Sequence, residues 1–278
     1  MAVIRFEVAY DGAPFHGWQV QPGSDTIQGQ IERALSTLAG HPVSVNGASR
    51  TDAGVHALGQ VVSLPIDRLQ RPLELYTISR SLNALLPRQI SVLRVERVDA
   101  LDHRGRPFHA RHCARGKIYR YSLWLNRIAH PHLHNRRWNL RSKPDEAGWQ
   151  RMYQAADLLL GEHDFAGFRA SSCDAPDTLR QLYRLDILRD PDGCNVEILV
   201  HGSAFLKNMV RIIVGTLVDV GLGAIPLKRI QETLDTGDRR FAGQTAPPQG
   251  LCLEEIFYPD FPWTQDRWSF PTRPPKEP

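Results

Sequence analysis

The first pattern along the chain has a period of two. Ile4, Phe6, Val8 and Tyr10 are apolar, and the residues between them are polar or small. Such alternation is typical of a β-strand with one buried face. The chain therefore begins with a predicted strand.

A helical period follows this strand. Apolar residues recur at three- and four-residue spacing from Ile27 to Leu38, which predicts an amphipathic helix. Asp25 and Gln28 resemble a capping box at its start, and Gly40 supplies a left-handed stop at its end. The other elements predicted in this half are strands at 43–45 and 59–64, a helix at 75–85 and a strand at 90–98.

The second half of the chain repeats this order. Its predicted elements are a strand at 117–125, a helix at 145–160, strands at 179–188 and 194–201, helices at 204–220 and 227–234, and a strand at 251–258. Each half reads βαββαβ, the order of a ferredoxin-like unit. The sequence thus predicts an α+β fold in which two ferredoxin-like halves combine into one extended mixed or antiparallel sheet with helices on one side. We expect an N-terminal half at 1–105, a C-terminal half at 106–260 and a tail at 261–278.

The distribution of charge adds a candidate binding surface. The 278 residues carry 34 Lys and Arg against 30 Asp and Glu, and 42% are hydrophobic, which excludes a disordered or fibrous chain. Residues 101–150, here called the basic segment, hold 11 Lys and Arg against 3 Asp and Glu, a net charge of +8. The rest of the chain is therefore slightly acidic.

Aromatic residues are interleaved with the cations of the basic segment. The cations include Arg111, Arg115, Lys117, Arg120, Arg127, Arg136 and Arg137, and the rings are Phe108, Tyr119, Tyr121, Trp124 and Trp138. Cations that hold phosphates beside rings that stack on bases favour a nucleic-acid groove. The alternative is a solvated edge strand whose charges prevent aggregation.

Cysteine and histidine usage bears on location and on metals. The four cysteines are widely separated and form no Cys-x-x-Cys pair, which predicts a cytoplasmic protein without disulfides or a cysteine zinc site. No apolar run reaches the roughly 20 residues of a spanning helix, so we expect no membrane role. His130, His132 and His134 could ligate a metal, but Pro131 and the lack of a nearby carboxylate favour a solvated loop.

The segment 47–56, which reads GASRTDAGVH, holds the candidate chemistry. Asp52 follows Arg50 closely, and a guanidinium favours the ionised form of a carboxylate that acts as nucleophile or base. The alternative is an Asp that caps its own turn and pairs with a surface Arg. A hydrolase triad of Ser49, Asp52 and His56 is a third possibility, although the Gly-x-Ser-x-Gly elbow is absent.

A pair of cations lies on the predicted helix at 204–220. Lys207 and Arg211 are four residues apart, so both face the same side of that helix. They could clamp a phosphate together. Solvation of the helix surface explains the pair equally well.

Taken together, these segments resemble the bacterial tRNA pseudouridine synthase A family. The strongest match is 50–57, RTDAGVHA, which is similar to the active-site signature of that family. Further matches, in family order, are 10–12 (YDG), 17–19 (GWQ), 26–28 (TIQ), 59–62 (GQVV), 108–111 (FHAR), 119–121 (YRY), 161–165 (GEHDF), 208–211 (NMVR) and 250–251 (GL). The ordered set is far more specific than any one tripeptide. The stretch 102–107 looks longer than the usual connection, and the tail is not covered.

The resemblance implies an enzyme that isomerises uridine to pseudouridine in the anticodon stem-loop of tRNA. It further implies base flipping, no cofactor or metal, and a homodimer with tRNA as its partner. Asp52 would be the essential carboxylate, Tyr119 would stack on the target base, and Arg50 would contact Asp52 and the flipped nucleotide. Arg211 would stabilise Asp52 or a phosphate. The rival hypothesis is an RNA-binding module in which Asp52 is only structural.

Overall fold

The computed structural model describes residues 2–69 and 74–259. Within them the strands are β1 Val3–Tyr10, β2 Asn46–Gly47, β3 His56–Pro65, β4 Ile90–Val98, β5 Gly116–Leu125, β6 Trp138–Leu140, β7 Gly161–Asp164, β8 Leu179–Arg189, β9 Asn195–Gly202 and β10 Leu251–Phe257. The helices are α1 Ile27–Ala39, α2 Leu75–Leu85, α3 Glu146–Leu158, α4 Met209–Gly221 and α5 Lys228–Thr236. The predicted tail at 261–278 lies outside the described residues.

All these strands belong to one mixed sheet. Its order is β4-β1-β3-β10-β5-β9-β8-β7, with β2 paired to β3 and β6 paired to β5. The first half gives β4-β1-β3-β2 and the second gives β10-β5-β9-β8, so the two halves place equivalent strands in the same order. The predicted α+β class and the single extended sheet are confirmed.

The two halves meet along one edge of β3. β10 pairs in parallel with the start of β3, at His56 and Ala57. β2 pairs with the same edge further along, at Val62 and Ser63. Since β1 occupies the opposite edge, β2 and β10 share the remaining edge. The chain at 48–55 leaves the sheet between them, and the sequence-predicted candidate segment therefore lies where the halves join.

Two predicted elements differ in position from the structure. The strand expected at 43–45 is displaced to β2, although Val43 and Val45 are buried. The helix expected from residue 204 begins at Met209, because Asn208 has a φ of 61° that no α-helix continues through. Strands β6 and β7 were not predicted.

Among the described helices, none is long and apolar enough to cross a membrane.

The start of α1 is capped by a different residue from the one expected. The hydroxyl of Thr26 accepts the backbone N–H of Gly29 at 3.3 Å, so Thr26 is the N-cap. Asp25 instead accepts from the side chain of Gln30 at 2.7 Å, and the Gln28 amide contacts Glu32 and the Val45 carbonyl. The capping box of Asp25 and Gln28 was wrong, whereas the stop at Gly40, with a φ of 77°, is confirmed.

These contacts predict the effect of removing each side chain. Thr26→Ala should lower the free energy of unfolding by about 1 kcal/mol, the usual cost of losing an N-cap. Thr26→Ser keeps the hydroxyl and should stay close to wild type. Asp25→Ala should change stability by no more than about 0.5 kcal/mol. Urea unfolding measures the free energy of unfolding of the three variants. If Asp25→Ala loses more of it than Thr26→Ala does, Asp25 and not Thr26 is the N-cap.

Candidate active site

The backbone of the loop at 48–55 is fixed by close approach to the chain that follows β1. A Cβ atom at Gly12 would lie 1.9 Å from the carbonyl oxygen of Val55, and one at Gly47 would lie 2.4 Å from the indole of Trp18. Both positions therefore require glycine. The backbone N–H of Trp18 also donates to the carbonyl of Thr51 at 3.0 Å, so the loop has a defined path.

Buried side chains satisfy the polar groups of this loop. The Gln60 amide, which is fully buried, accepts from the Ser49 N–H at 3.1 Å and donates to the Ser49 carbonyl at 2.7 Å. Gln60 also reaches the hydroxyl of Tyr10 at 3.4 Å, and Tyr10 shares a hydrogen bond of 2.8 Å with Thr51. Because an unpaired buried backbone group costs about 1–3 kcal/mol, these bonds hold the loop in one conformation.

Asp52 is half-exposed and forms an ion pair with Arg211 from α4. One guanidinium nitrogen of Arg211 lies 3.3 Å from Oδ2 of Asp52. Arg211 is itself fixed, because it donates to the Ala246 carbonyl at 2.7 Å and to Oδ1 of Asn208 at 2.9 Å. Asn208, whose backbone has a positive φ, thus helps to position Arg211, which is the partner of Asp52.

Arg50 is placed differently from the sequence-based expectation. Its side chain is exposed, and within the described residues it makes no ion pair with Asp52. It lies near Arg111, whose pKa is lowered by partial burial and by the charge of Arg50. Arg50 is close to Asp52 in the sequence but does not pair with it. The guanidinium beside Asp52 comes from Arg211 instead.

Tyr119 on β5 closes one side of the site. Its hydroxyl shares a hydrogen bond of 2.9 Å with Oγ of Ser49, and its ring packs edge-on against Phe205 with centroids 5.2 Å apart. Burial, and to a lesser extent the nearby charge of Asp52, raises the pKa of Tyr119 to about 12. The phenol therefore stays protonated at neutral pH, close to the carboxylate.

Lys117 belongs to the site, although the sequence suggested only a phosphate contact. Its Nζ donates to the Ala48 carbonyl at 3.0 Å and to Oγ of Ser49 at 3.1 Å. Burial, followed by the charges of Arg111 and Arg180, lowers the pKa of Lys117 to about 8. The sequence contained a basis for predicting this position, because Lys117 and Tyr119 are two residues apart and so face the same side of β5.

The arrangement excludes the hydrolase triad of Ser49, Asp52 and His56. Nε2 of His56 donates to the carbonyl of Asn135 at 2.9 Å, and Nδ1 lies 3.2 Å from the Gly12 N–H and 3.1 Å from a carboxylate oxygen of Asp11. His56 therefore contacts neither of its proposed partners. Its ring instead connects Asn135, in the loop before β6, to the chain that follows β1 at Asp11 and Gly12.

The basic segment is less open than its composition implied. Several of its cations pair with acidic residues in the described part of the chain: Arg106 with Asp102, Arg120 with Glu254 and Glu197, Arg136 with Asp11, and Arg137 with Glu197. Four of its rings are buried, namely Phe108, Tyr119, Tyr121 and Trp138. These four rings therefore do not form an open row on the surface. Tyr119 and Tyr121 lie on β5, whereas Phe108 precedes that strand and Trp138 lies on β6.

Two other candidate clusters also have a defined place. Lys207 precedes α4 and donates to the hydroxyl of Ser172 at 3.0 Å, so it does not form a helical clamp with Arg211. His130 and His132 lie on an exposed turn with ring centroids 5.8 Å apart. In the described parts of the chain, no three His, Cys, Asp or Glu side chains come together as a metal site.

The fold and the site define a class of protein: an α+β protein with two ferredoxin-like halves, whose joint holds a carboxylate, a guanidinium and a buried phenol. Comparison with known proteins makes this specific. A family model described as tRNA pseudouridine synthase matches residues 7–105 and 155–259. The chain belongs to this family of RNA-uridine isomerases, and the resemblance found in the sequence is confirmed.

Curated relatives match over most of the chain. The tRNA pseudouridine synthase A of Geotalea uraniireducens is 45% identical over 93% of this chain and 100% of that protein. The same enzyme of Syntrophotalea carbinolica is 43% identical over 93% and 97%, and that of Myxococcus xanthus is 42% identical over 94% of each. Among solved structures, a Cbf5-Nop10-Gar1 complex matches 90% of this chain and 58% of that chain at 12% identity, with a TM-score of 0.33.

The environment of His56 predicts a pH effect on stability. Burial lowers the pKa of the imidazole below its ordinary value of 6.5, in spite of the nearby carboxylate of Asp11. The folded state therefore binds fewer protons than the unfolded state, and stability is lost as the pH falls below about 6.5. His56→Gln should flatten this loss in urea unfolding between neutral and acidic pH.

The control for this prediction is His16→Gln, a substitution at an exposed histidine that lacks these buried contacts. If His56→Gln loses stability with acid as steeply as wild type, the imidazole does not carry the effect.

Proposed function

We propose that this protein isomerises uridine to pseudouridine in the anticodon stem-loop of tRNA, with Asp52 as the catalytic carboxylate. The observation that carries the proposal is the contact between Asp52 and Arg211, because it sets a half-exposed carboxylate beside a fixed guanidinium at the joint of the two halves. Family membership supplies the reaction and the RNA substrate. The position in tRNA follows from the resemblance alone.

The chemistry accounts for the composition of the site. The bond between N1 of the base and C1′ of the ribose must break, the base must rotate, and C5 must bond to C1′ with loss of its proton. A base undergoing these steps has to leave the helical stack and enter a pocket. In that pocket, Asp52 attacks the target nucleoside, at the sugar or at the base, as a carboxylate nucleophile.

The neighbours of Asp52 have separate roles in this proposal. Tyr119 contacts the flipped base and handles a proton, which suits a phenol that remains protonated at neutral pH. Arg211 orients the carboxylate, since it is already anchored to Ala246 and Asn208. Arg50 is exposed and lies beside Arg111, so we assign it to the RNA backbone near the extruded nucleotide.

The proposal includes no cofactor or metal. Base and sugar both stay in the pocket, and no water molecule has to be activated for the new bond to form. We further propose a cytoplasmic homodimer with tRNA as its partner, which follows from the resemblance to the family. Light scattering of the purified protein measures the oligomeric state directly.

Asp52→Asn tests the catalytic assignment. This substitution keeps the shape of the side chain but removes its charge, so pseudouridine formation should fall at least about a thousandfold, as expected for the loss of a nucleophile. Binding of tRNA should change little. The measurement is single-turnover formation of pseudouridine in an anticodon stem-loop transcript, together with filter binding of the same RNA.

Asp67→Asn, at an exposed residue after β3, is the matched control and should be fully active. Substantial activity in Asp52→Asn would contradict the catalytic role and favour a structural Asp in an RNA-binding module. If pseudouridine appears at a uridine outside the anticodon arm, the proposed position is wrong.

Salt dependence of binding tests the exposed cations of the basic segment. Arg111 and Arg115 are both exposed, and Arg111 lies close to Arg50 beside the site. Alanine at each should weaken tRNA binding and reduce the slope of log affinity against log salt by about 1 for each phosphate that the variant no longer neutralises.

Arg33→Ala is the control for this measurement, since Arg33 is an exposed cation of α1. It should leave the slope as in wild type. An unchanged slope in the Arg111 and Arg115 variants would show that these cations only solvate the surface.

A further inference from the structure

Lys117 is a cation of this site that the proposed reaction has not yet used. It is half-buried on β5, and its Nζ is held between the Ala48 carbonyl and Oγ of Ser49. Within the described residues no carboxylate lies in ion-pair range of Lys117. A lysine in such surroundings costs stability unless its hydrogen bonds or its chemistry compensate.

Lys117 is the end of a continuous hydrogen-bonded chain that leads to Tyr119. Nζ of Lys117 lies 3.1 Å from Oγ of Ser49, and Oγ of Ser49 lies 2.9 Å from the hydroxyl oxygen of Tyr119. Ser49 and Tyr119 are buried, so water does not interrupt the chain. Both distances allow a proton to pass from one heteroatom to the next.

The electrostatic surroundings favour a neutral amine at one end and a protonated phenol at the other. The charged groups facing Lys117 are Arg111 and Arg180, both positive, and with burial they bring its pKa to about 8. The charged group facing Tyr119 is Asp52, which with burial brings the pKa of the phenol to about 12. Roughly a tenth of Lys117 is therefore neutral, with a free lone pair, at pH 7, and about half of it at pH 8.

We propose that Ser49 and Lys117 relay the proton that C5 of the uracil loses, with Tyr119 as the group that contacts the base. The proposal rests on the function proposed above. Lys117 acts through two other side chains, so it is a positioning residue and not a catalytic one. A neutral amine donates one N–H to the Ala48 carbonyl and accepts the Ser49 hydroxyl proton with its lone pair.

Protons and electrons balance in this relay. After C5 has bonded to C1′, the hydroxyl oxygen of Tyr119 takes the C5 proton as the phenol passes its own proton to Oγ of Ser49. Ser49 passes its proton to Nζ of Lys117, and the C–H electron pair restores the C5–C6 double bond. N1 takes a proton from water, and Lys117 later returns one to water. The isomerisation then releases no net proton.

The competing explanation is that Lys117 only anchors the turn at Ala48 and Ser49. Lys117→Arg separates the two, because arginine still donates to these oxygens but cannot lose its proton. Ser49→Ala breaks the chain while leaving the lysine in place, and Ser49→Thr restores the hydroxyl. The substrate is an anticodon stem-loop whose target uridine carries hydrogen or deuterium at C5.

The relay predicts a specific change in the kinetics. In wild type, the single-turnover rate should rise with pH, pass its half-maximal value near pH 8 and level off above it, because only the neutral amine accepts a proton. Lys117→Arg and Ser49→Ala should be slower by about 100-fold, on the scale of losing a proton-transfer group. They should lose the rise with pH, and a primary isotope effect at C5 should emerge because removal of that proton becomes rate-limiting. Ser49→Thr should recover the wild-type rate and profile.

Each result either supports the relay or overturns it. If Lys117→Arg keeps the wild-type rate and pH profile, or if Ser49→Ala slows without an isotope effect at C5, Lys117 and Ser49 are structural and the relay is wrong. Should Lys117→Arg fail to fold, the Ser49 pair decides the question alone. Failure of the proposed function is a different outcome, in which wild type itself forms no pseudouridine or Asp52→Asn remains active.

Discussion

The ion pair between Asp52 and Arg211 joins residues 159 positions apart in the chain, and it exists only because β3 and β10 share an edge of the sheet. The first residue lies on the loop that precedes β3, and the second lies on the helix of the other half. Neither half alone can build the site. The parallel pairing of these two strands is therefore the constraint on which the carboxylate, its guanidinium and the neighbouring phenol all depend.

The same constraint explains why a loop interrupts the sheet at this point. Since β10 occupies the start of one β3 edge, β2 is limited to two residues. The Ala48 N–H still donates to the Val61 carbonyl of β3 at 2.8 Å, but within the described residues the chain at 49–55 belongs to no strand. Its backbone groups need other partners, and Gln60 supplies them from the interior. The polar interior beneath the loop is a consequence of this topology as well as a support for chemistry.

Much of the fold followed from local patterns, since the periods of α1 and α2 reflect burial of one face. β1 alternates in the same way but is buried on both faces, because Arg5 and Glu7 are also buried. The errors have physical causes. Asp25 and Thr26 are both good cap residues, so the sequence could not choose between them. Apolar residues from Ala204 onward continue the period of α4 towards its N-terminus, but the left-handed Asn208 prevents the helix from beginning before Met209. Asp52 was identified through its segment, whereas Arg211 was named as its partner only through the family resemblance, because the two residues are 159 positions apart and no local pattern joins them.

Some atoms of Asp52 are held by hydrogen bonds, and one of its carboxylate oxygens is not. Its backbone is held, because its carbonyl accepts from the Val55 N–H at 3.1 Å and the preceding carbonyl accepts from Trp18. Its Oδ2 is held by Arg211, while Oδ1 has no hydrogen bond within the described residues. A carboxylate fixed at one oxygen and open at the other has little orientation left to lose when it reacts, which lowers the entropic part of the barrier. In the proposed reaction, the ion pair thus orients Asp52 and leaves Oδ1 available to attack the nucleoside.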